Sequence, residues 1–274
     1  MPDPSLPFRY SLNASTIRPT PILDQIRVAA KAGFQGIELW HDSIDRFLSD
    51  GGSLKDIHTC LADSGLAVPT SIYLGDWFDA DETQLPSVYA ECERRMEQAA
   101  FLGAPYVIAG PPGGKANVET GARRYRELLQ KGKERGTLPA MEFLGFVEQV
   151  NTIEDALEII TLADDASGTT VLDPFHIFRG GGSVASIQKL SAGQVAVCHF
   201  NDTPDTPPRL EQHDHHRVMP GEGHLDLEAY IRYLKQINFD GWLSLELFNE
   251  RLWQKDPLEV ARIGLEKMRT IAER

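Results

Sequence analysis

Short apolar segments alternate with amphipathic segments along the whole chain, and this alternation limits the fold more than any other feature. The apolar segments predict eight β-strands, at residues 8–13, 36–40, 68–74, 106–110, 139–144, 169–173, 194–201 and 242–248. The amphipathic segments predict helices at residues 22–33, 53–65, 84–103, 122–136, 152–164, 184–190, 225–237 and 258–272. Strict alternation of strand and helix in eight units is what a closed parallel barrel requires. The sequence therefore predicts an α/β fold, a (β/α)8 TIM barrel.

The length of the chain is consistent with one such barrel. The chain has 274 residues, and α/β barrels run to about 250 residues as a single domain. We therefore expect residues 1–274 to form one barrel domain. The glycine-rich fingerprints of dinucleotide-binding and P-loop folds do not follow the predicted strands, which disfavours a nucleotide-binding open sheet.

Charge and composition exclude several classes of partner. The formal net charge is −13, which disfavours binding to nucleic acid, because phosphate backbones are bound by clustered lysine and arginine. The same charge disfavours an anionic membrane surface, and no apolar run approaches the length of a transmembrane helix. The segment Met1 to Tyr10 lacks the basic and apolar blocks of a signal peptide. Three cysteines without CxxC spacing indicate a reducing compartment, so we expect a cytoplasmic protein.

Charged residues stand at the ends of the last four predicted strands. They are Glu142, Asp173, His199 and Glu246. In a barrel of this kind, the carboxyl ends of consecutive strands meet at one mouth and face the active site. Three carboxylates and one imidazole suit Mn²⁺, Co²⁺, Mg²⁺ or Zn²⁺. Any one of these residues could instead point outward or make a buried ion pair, although burying a lone carboxylate among apolar neighbours is costly.

Several motifs resemble those of the xylose-isomerase-like sugar isomerase and epimerase superfamily. They are Met141–Gly145, Val171–His176, Cys198–Asp202, Arg217–Gly223 and Leu243–Phe248. Within this superfamily, Ser11–Ile17 and His199–Asp205 most resemble the inosose (2-keto-myo-inositol) isomerases. The resemblance covers nearly the whole chain, and its metal-site motifs recur across enzymes of different activity.

The resemblance implies a role for each of these side chains. The four strand-end residues would bind one divalent metal ion, and Glu142 and Glu246 would also move protons from opposite sides of the substrate. His176 matches a substrate-binding histidine of the family, and Glu148 matches a substrate-contacting glutamate of related ketose epimerases.

Three further residues are candidates for substrate contact. Arg217 lies where the family places a substrate-contacting arginine, with Arg209 as a competitor for that role. Glu38, at the end of the second predicted strand, could bond a substrate hydroxyl, and a structural ion pair is an equal alternative.

Other residues of note have competing interpretations. Four aromatic residues could wall the apolar side of a pocket, although core packing is the default for aromatics: Trp40, Trp77, Phe78 and Phe248. His213, His215 and His216 form a cluster in a polar loop, where solvated side chains are expected rather than a metal site.

An isomerase is the function that the predicted site suits best. Moving a ketone to the neighbouring carbon needs a base for the proton next to the carbonyl and a cation for the charge on oxygen. This chemistry fits both isomerisation and epimerisation. Together with the absence of an evident phosphate-binding motif, the resemblance to inosose isomerases implies isomerisation of an unphosphorylated cyclic polyol ketone such as 2-keto-myo-inositol. The alternatives are a ketose 3-epimerase or hydroxypyruvate isomerase, a dehydratase of inosose or 3-dehydroshikimate, and a binding protein without activity. A DNA-repair endonuclease is disfavoured by the charge, and a homo-oligomer is expected by analogy alone.

Overall fold

Eight parallel strands close into a barrel in the computed structural model, which describes residues 8–274. The strands are Arg9–Asn13 (β1), Gly36–Trp40 (β2), Thr70–Leu74 (β3), Tyr106–Ala109 (β4), Leu138–Met141 (β5), Thr169–Leu172 (β6), Val195–Phe200 (β7) and Trp242–Leu245 (β8). Each strand pairs with the next in sequence, and β1 pairs with β8 to complete the ring. The (β/α)8 prediction is confirmed. Residues 1–7, on which the signal-peptide and one-domain predictions partly rest, lie outside the described residues.

Helices surround the barrel, and three of them were not predicted. They are Ile22–Ala32 (α1), His41–Ser49 (α2), Leu54–Ser64 (α3), Leu85–Phe101 (α4), Val118–Arg135 (α5), Ile153–Ala163 (α6), Pro174–Arg179 (α7), Leu227–Gln236 (α8), Glu250–Trp253 (α9) and Pro257–Ala272 (α10). The unpredicted helices are α2, α7 and α9. Helix α2 is amphipathic, with Ile44 buried and Phe47 and Leu48 packed against the core, and this pattern was overlooked, whereas α7 and α9 have only six and four residues. The helix predicted at residues 184–190 is a 3-10 helix, Val184–Lys189. Within residues 8–274, no helix is both long and apolar enough to cross a membrane.

Helix boundaries follow from local capping chemistry. The side chain of Ser53 accepts the backbone N–H of Asp56, whose carboxylate binds back to Ser53 and completes a capping box at the start of α3. Gly65 ends the same helix in the left-handed conformation, with φ of 65°. These signals are visible in the sequence, which explains why the predicted bounds of α3 lie within a residue of the observed ones.

A small apolar cluster inside the barrel forms the floor of the candidate site. It comprises Ile72, Ile108, Ala140, Val171, Ala196, Val197 and Trp242. Because side chains alternate between the two faces of a strand, Val197 lies on the same face as His199, two positions later. The same spacing relates Ala140 to Glu142. Strands β5 and β8 end at Met141 and Leu245, so Glu142 and Glu246 are the first residues beyond these strands rather than within them.

One buried carboxylate organises the long connection between β7 and α8. Asp202 accepts four backbone N–H groups: its Oδ1 bonds Thr203 at 2.8 Å and Leu225 at 3.0 Å, and its Oδ2 bonds Gly221 at 3.1 Å and Gly223 at 3.0 Å. A Cβ atom at Gly223 would collide with this carboxylate, which explains the glycine. The backbone of Asp202 also pairs with that of Val218, next to Arg217. Asp202 therefore fixes the segment that carries the arginine into the barrel mouth.

We predict that Asp202→Ala lowers the free energy of unfolding by about 2–4 kcal/mol, because it leaves four backbone N–H groups, of which that of Thr203 is buried, without their charged acceptor. Asp202→Asn keeps one acceptor oxygen and should cost less. Urea denaturation measures both losses. The control is Glu222→Ala in the same loop, which removes only an exposed ion pair with Lys267 and should change stability by less than about 1 kcal/mol. Equal losses of stability in Asp202→Ala and Glu222→Ala would contradict the role of Asp202 in holding this loop.

Candidate metal centre

The four strand-end residues meet at the carboxyl end of the barrel, as the sequence predicts. His199 is central: its Nδ1 lies 3.0 Å from Oε2 of Glu246, 3.5 Å from Oδ2 of Asp173 and 3.7 Å from Oε1 of Glu142. All four side chains are buried. Asp173, His199 and Glu246 offer ligand atoms within 4.8 Å of one another, and Glu142 stands at the edge of this group.

The unused bonding capacity of His199 shows that a metal ion fits these residues. Neither ring nitrogen has a hydrogen-bond partner within the described part of the chain, although both are buried. Donor atoms about 2.1 Å from a shared ion lie roughly 3.0–3.4 Å apart at octahedral or tetrahedral angles. The 3.0 Å distance from Nδ1 to Glu246 lies within this range, and the distances to Asp173 and Glu142, 3.5 and 3.7 Å, exceed it by only about 0.1 and 0.3 Å. A divalent cation would therefore satisfy an otherwise orphaned imidazole with little rearrangement.

Asp173 is oriented by the start of helix α7. Its Oδ1 caps the helix, accepting the backbone N–H of Phe175 at 2.7 Å and of His176 at 3.3 Å, and it also accepts the side-chain amide of Asn201 at 3.1 Å. These bonds occupy one oxygen and direct the other, Oδ2, toward the centre. The Asp-Pro sequence that starts α7 thus also presents a candidate ligand.

Arg217, and not Arg209, reaches the centre. Its buried guanidinium donates through Nη1 to Oδ2 of Asp173 at 2.8 Å and to Oε2 of Glu246 at 2.6 Å. Its Nη2 donates to Asp214 at 2.5 Å and lies 3.0 Å from Nε2 of His176. The guanidinium of Arg209 instead donates to the backbone carbonyl of Arg179 at 2.8 Å. Of the two arginines, Arg217 is the one that lies at the centre, so its contact with substrate stays the prediction.

Burial and charge act differently on the carboxylates. Burial raises the pKa of Glu142 to about 8; nearby His199 opposes this shift, and Glu246 and Asp173 add to it. Burial would also raise the pKa of Asp173, but the Arg217 guanidinium, His176 and His199 together outweigh it and hold that pKa well below its ordinary value. Without a metal ion, Glu142 is therefore the carboxyl group that holds a proton near neutral pH, while Asp173 stays ionised.

A cavity of about 200 Å³ opens beside these residues and has two chemically different sides. Its polar side consists of Glu142, His176, His199, Asp214, Arg217 and Glu246. Its apolar side consists of Trp40, Ile72, Tyr73, Ile108, Leu144, Phe146 and Phe248. The rings of Trp40 and Phe248 meet edge to face, with centroids 5.8 Å apart. Trp77 and Phe78, the other two aromatic candidates, are buried in the core.

Two predicted substrate contacts lie outside this cavity. Glu148 is exposed on the loop after β5 and is not among the lining residues, so its role stays a prediction. Glu38 is fully buried beneath His199, with Oε2 3.5 Å from Nε2 of the imidazole. Its predicted bond to a substrate hydroxyl is not supported by this position, and the alternative of a structural ion pair fits better. His213 and His215 are exposed on the loop before Arg217.

Some residues of the centre were missed or given no role. Asn201 holds Asp173 and lies two positions after His199, so the period of the strand was a signal that could have identified it. Asp214 and Phe146 come from irregular loops, where no period indicates the direction of a side chain.

Comparison with known proteins agrees with this geometry. The model of the family described as xylose isomerase-like TIM barrel matches residues 26–271. The inosose isomerase of Bacillus velezensis is 25% identical over 269 residues, which are 95% of either chain. A 3-dehydroshikimate dehydratase of Pseudomonas aeruginosa is 28% identical over 237 residues, 83% of this chain and 36% of the relative.

A solved structure adds a metal-bound neighbour. The crystal structure of the IOLI protein with a bound zinc atom superposes with a TM-score of 0.89 at 25% sequence identity, covering 97% of this chain and 98% of the other. The family match spans most of the described barrel, including the four strand-end residues. This chain belongs to the xylose isomerase-like TIM barrel family.

Proposed function

We propose that the protein is a divalent-metal-dependent isomerase of a cyclic polyol ketone, of the class of 2-keto-myo-inositol. The observation that carries the proposal is the pair of glutamates, Glu142 and Glu246, which line one small cavity and flank a buried histidine. Similarity to the B. velezensis inosose isomerase over 95% of the chain supports the narrower substrate class.

The proposed ligands of the ion are Glu142, Asp173, His199 and Glu246. The zinc-bound neighbour supports zinc as one ion that the centre accepts, and carboxylate and imidazole donors also suit Mn²⁺, Co²⁺ and Mg²⁺. A divalent cation held here supplies electrostatic stabilisation of negative charge on the substrate oxygens.

The glutamates are the proposed proton carriers. Isomerisation removes a proton from the carbon that bears the hydroxyl, returns a proton to the former carbonyl carbon, and moves the hydroxyl proton to the former carbonyl oxygen. Glu246 and Glu142 line the same cavity, so one can remove the carbon-bound proton and the same or the other can return it. Arg217 and His176 form the polar wall between them, where we propose that they orient the substrate hydroxyls.

The two-sided cavity supports a neutral ring as substrate. A volume of about 200 Å³ lies below the range typical of drug-sized ligands. A cyclitol with equatorial hydroxyls presents C–H faces that can pack on Trp40 and Phe248, while its edge hydroxyls meet the polar side. Arg217 is the lining arginine, and carboxylates already occupy its guanidinium. A phosphorylated substrate would therefore find no unpaired arginine or lysine among the lining residues.

A dehydratase is the second candidate, and the similarity to the P. aeruginosa enzyme favours it. Both reactions begin by removing a proton next to a carbonyl, and the dehydratase then expels a β-hydroxyl. The carboxylate of 3-dehydroshikimate would need an uncompensated positive charge, and the charge of Arg217 is already balanced by Asp173, Asp214 and Glu246. We also propose a small-molecule partner and a cytoplasmic location, with which the three free cysteines are consistent.

We predict that zinc raises the Tm of the metal-free protein by about 5–10 °C at about 100 times its Kd, because ligand binding of that strength adds about 2.7 kcal/mol of stability. His199→Ala should abolish the shift, and thermal unfolding with and without zinc measures it. Glu154→Gln is the control, since it alters a surface pair with Lys189 and a hydrogen bond from Ser186, neither of which involves a residue of the centre. If zinc raised the Tm of His199→Ala as much as that of the unaltered protein, the zinc site would lie elsewhere.

We predict that Glu246→Gln and Glu142→Gln each lower kcat on an inosose by about 10²–10⁴-fold, because each removes a proton carrier. Turnover should be assayed with the metal content of each variant measured. The control is Glu154→Gln, which changes a surface glutamate that does not line the cavity. Near-normal turnover by metal-loaded Glu246→Gln would contradict the mechanism.

We predict that metal-loaded protein converts an inosose to an isomer without producing a conjugated enone. Assays against inososes, ketohexoses and 3-dehydroshikimate, followed by ultraviolet absorbance and product chromatography, separate the candidates. A growing enone absorbance would favour the dehydratase. Turnover of a ketohexose but not of inososes would remove the narrower substrate class and keep the isomerase or epimerase class.

A further inference from the structure

The carboxylate of Glu38 lies behind His199 and has no part in the proposed chemistry. It is fully buried, and its Oε2 lies 3.5 Å from Nε2 of His199. We infer that Glu38 is a positioning residue: it receives the Nε2–H of His199 and so leaves Nδ1 as the nitrogen that faces the metal ion. The inference rests on the metal centre of the proposed function but not on the identity of the substrate.

The surroundings of the two ring nitrogens differ. Nδ1 faces the carboxylates of Glu246, Asp173 and Glu142 at 3.0, 3.5 and 3.7 Å, whereas the carboxylate nearest to Nε2 is that of Glu38. A neutral imidazole that binds a cation through Nδ1 must carry its proton on Nε2. Histidines that bind metals almost always donate that second N–H to a carboxylate, a carbonyl or water. Glu38 occupies the position of that acceptor.

Glu38 is itself held in place from three sides. The hydroxyl of Thr70 donates to its Oε1, and the hydroxyl of Ser244 and the amide of Asn13, at 3.1 Å, donate to its Oε2. These donors come from β3, β8 and β1, so three strands of the barrel fix one carboxylate. Such a rigid acceptor can set the tautomer and the ring orientation of a neighbouring imidazole.

The same network reaches the cavity wall. Nδ2 of Asn13, which donates to Glu38, also donates to Oε1 of Glu246 at 2.9 Å, and Oδ1 of Asn13 accepts the indole N–H of Trp40 at 2.9 Å. Asn13 therefore links a cavity-lining ring, a proposed ligand and the positioning carboxylate. The distance of 3.5 Å between Glu38 and His199 exceeds the usual N–H···O range of 2.7–3.2 Å. We expect it to shorten when a bound cation confines the imidazole proton to Nε2.

The direct test uses the unaltered protein. Long-range ¹H–¹⁵N NMR spectra of the ¹⁵N-histidine-labelled, zinc-loaded protein report which nitrogen of each imidazole carries the proton. His199→Gln identifies the signals of His199 by their loss. We expect a protonated Nε2 and a zinc-bound Nδ1. A protonated Nδ1, or a zinc-bound Nε2, would overturn the inference whatever the activity of the enzyme.

Variants at Glu38 give a second, graded test. Glu38→Gln keeps an acceptor oxygen but loses the charge, and Glu38→Ala loses both, so we expect the Kd for zinc to rise in that order, by about 10–100-fold in the alanine variant. Glu154→Gln, a surface change, should leave the Kd unchanged. Equal Kd values in the Glu38 variants and the unaltered protein would count against the inference. Tight zinc binding with the expected tautomer, but without turnover of any ketone, would instead count only against the isomerase.

Discussion

The concentration of buried charge at the mouth of the barrel is the constraint on which the rest of the site depends. Four carboxylates surround His199: Glu38, Glu142, Asp173 and Glu246. Arg217 is the cation that contacts two of them, Asp173 and Glu246, and it is shared with Asp214. Like charges at this separation cannot all be ionised in a buried site without compensation. Without a metal ion, the raised pKa of Glu142 favours its protonated form and relieves part of the repulsion; a bound divalent cation would replace that proton.

The barrel stabilises this concentration of buried charge by holding each charged group at the end of a separate, rigid strand. Residues that are far apart in sequence meet because consecutive parallel strands deliver their carboxyl ends to one mouth. The small apolar cluster beneath them excludes water from below. Rigid strands, the helix cap at Asp173 and the Asp202 turn that carries Arg217 hold the charges in place. An arrangement fixed before substrate arrives is what electrostatic catalysis requires.

The sequence predicted the barrel and the four strand-end residues for physical reasons. A strand has a period of two, and a carboxylate amid apolar residues is costly, so Glu142 and Glu246 stood out against their neighbours. Irregular segments carry no such period. The position of Arg217 relative to Arg209, and the capping role of Asp202, depend on a long loop whose path only the structure shows.

Glu38 shows more clearly what the sequence could not predict. The sequence placed Glu38 at the end of the second strand, on the side that faces the barrel interior. The predicted contact with substrate was not supported, because the local pattern does not indicate how deep within the barrel a side chain lies. The structure places it one layer beneath His199, where it has side-chain partners and no access to the cavity. The sequence also predicted the apolar side of the cavity only in part. Of the four aromatic candidates, Trp40 and Phe248 line the cavity, whereas Trp77 and Phe78 pack in the core.

The central claim is that four side chains share one ion at the mouth of the barrel. The most direct measurement is a crystal structure of the zinc-loaded protein, with anomalous diffraction collected on both sides of the zinc absorption edge. We expect one strong anomalous peak within about 2.0–2.3 Å of Nδ1 of His199 and of oxygens of Glu142, Asp173 and Glu246. A peak at the His213–His216 loop, with none at the barrel mouth, would contradict the account.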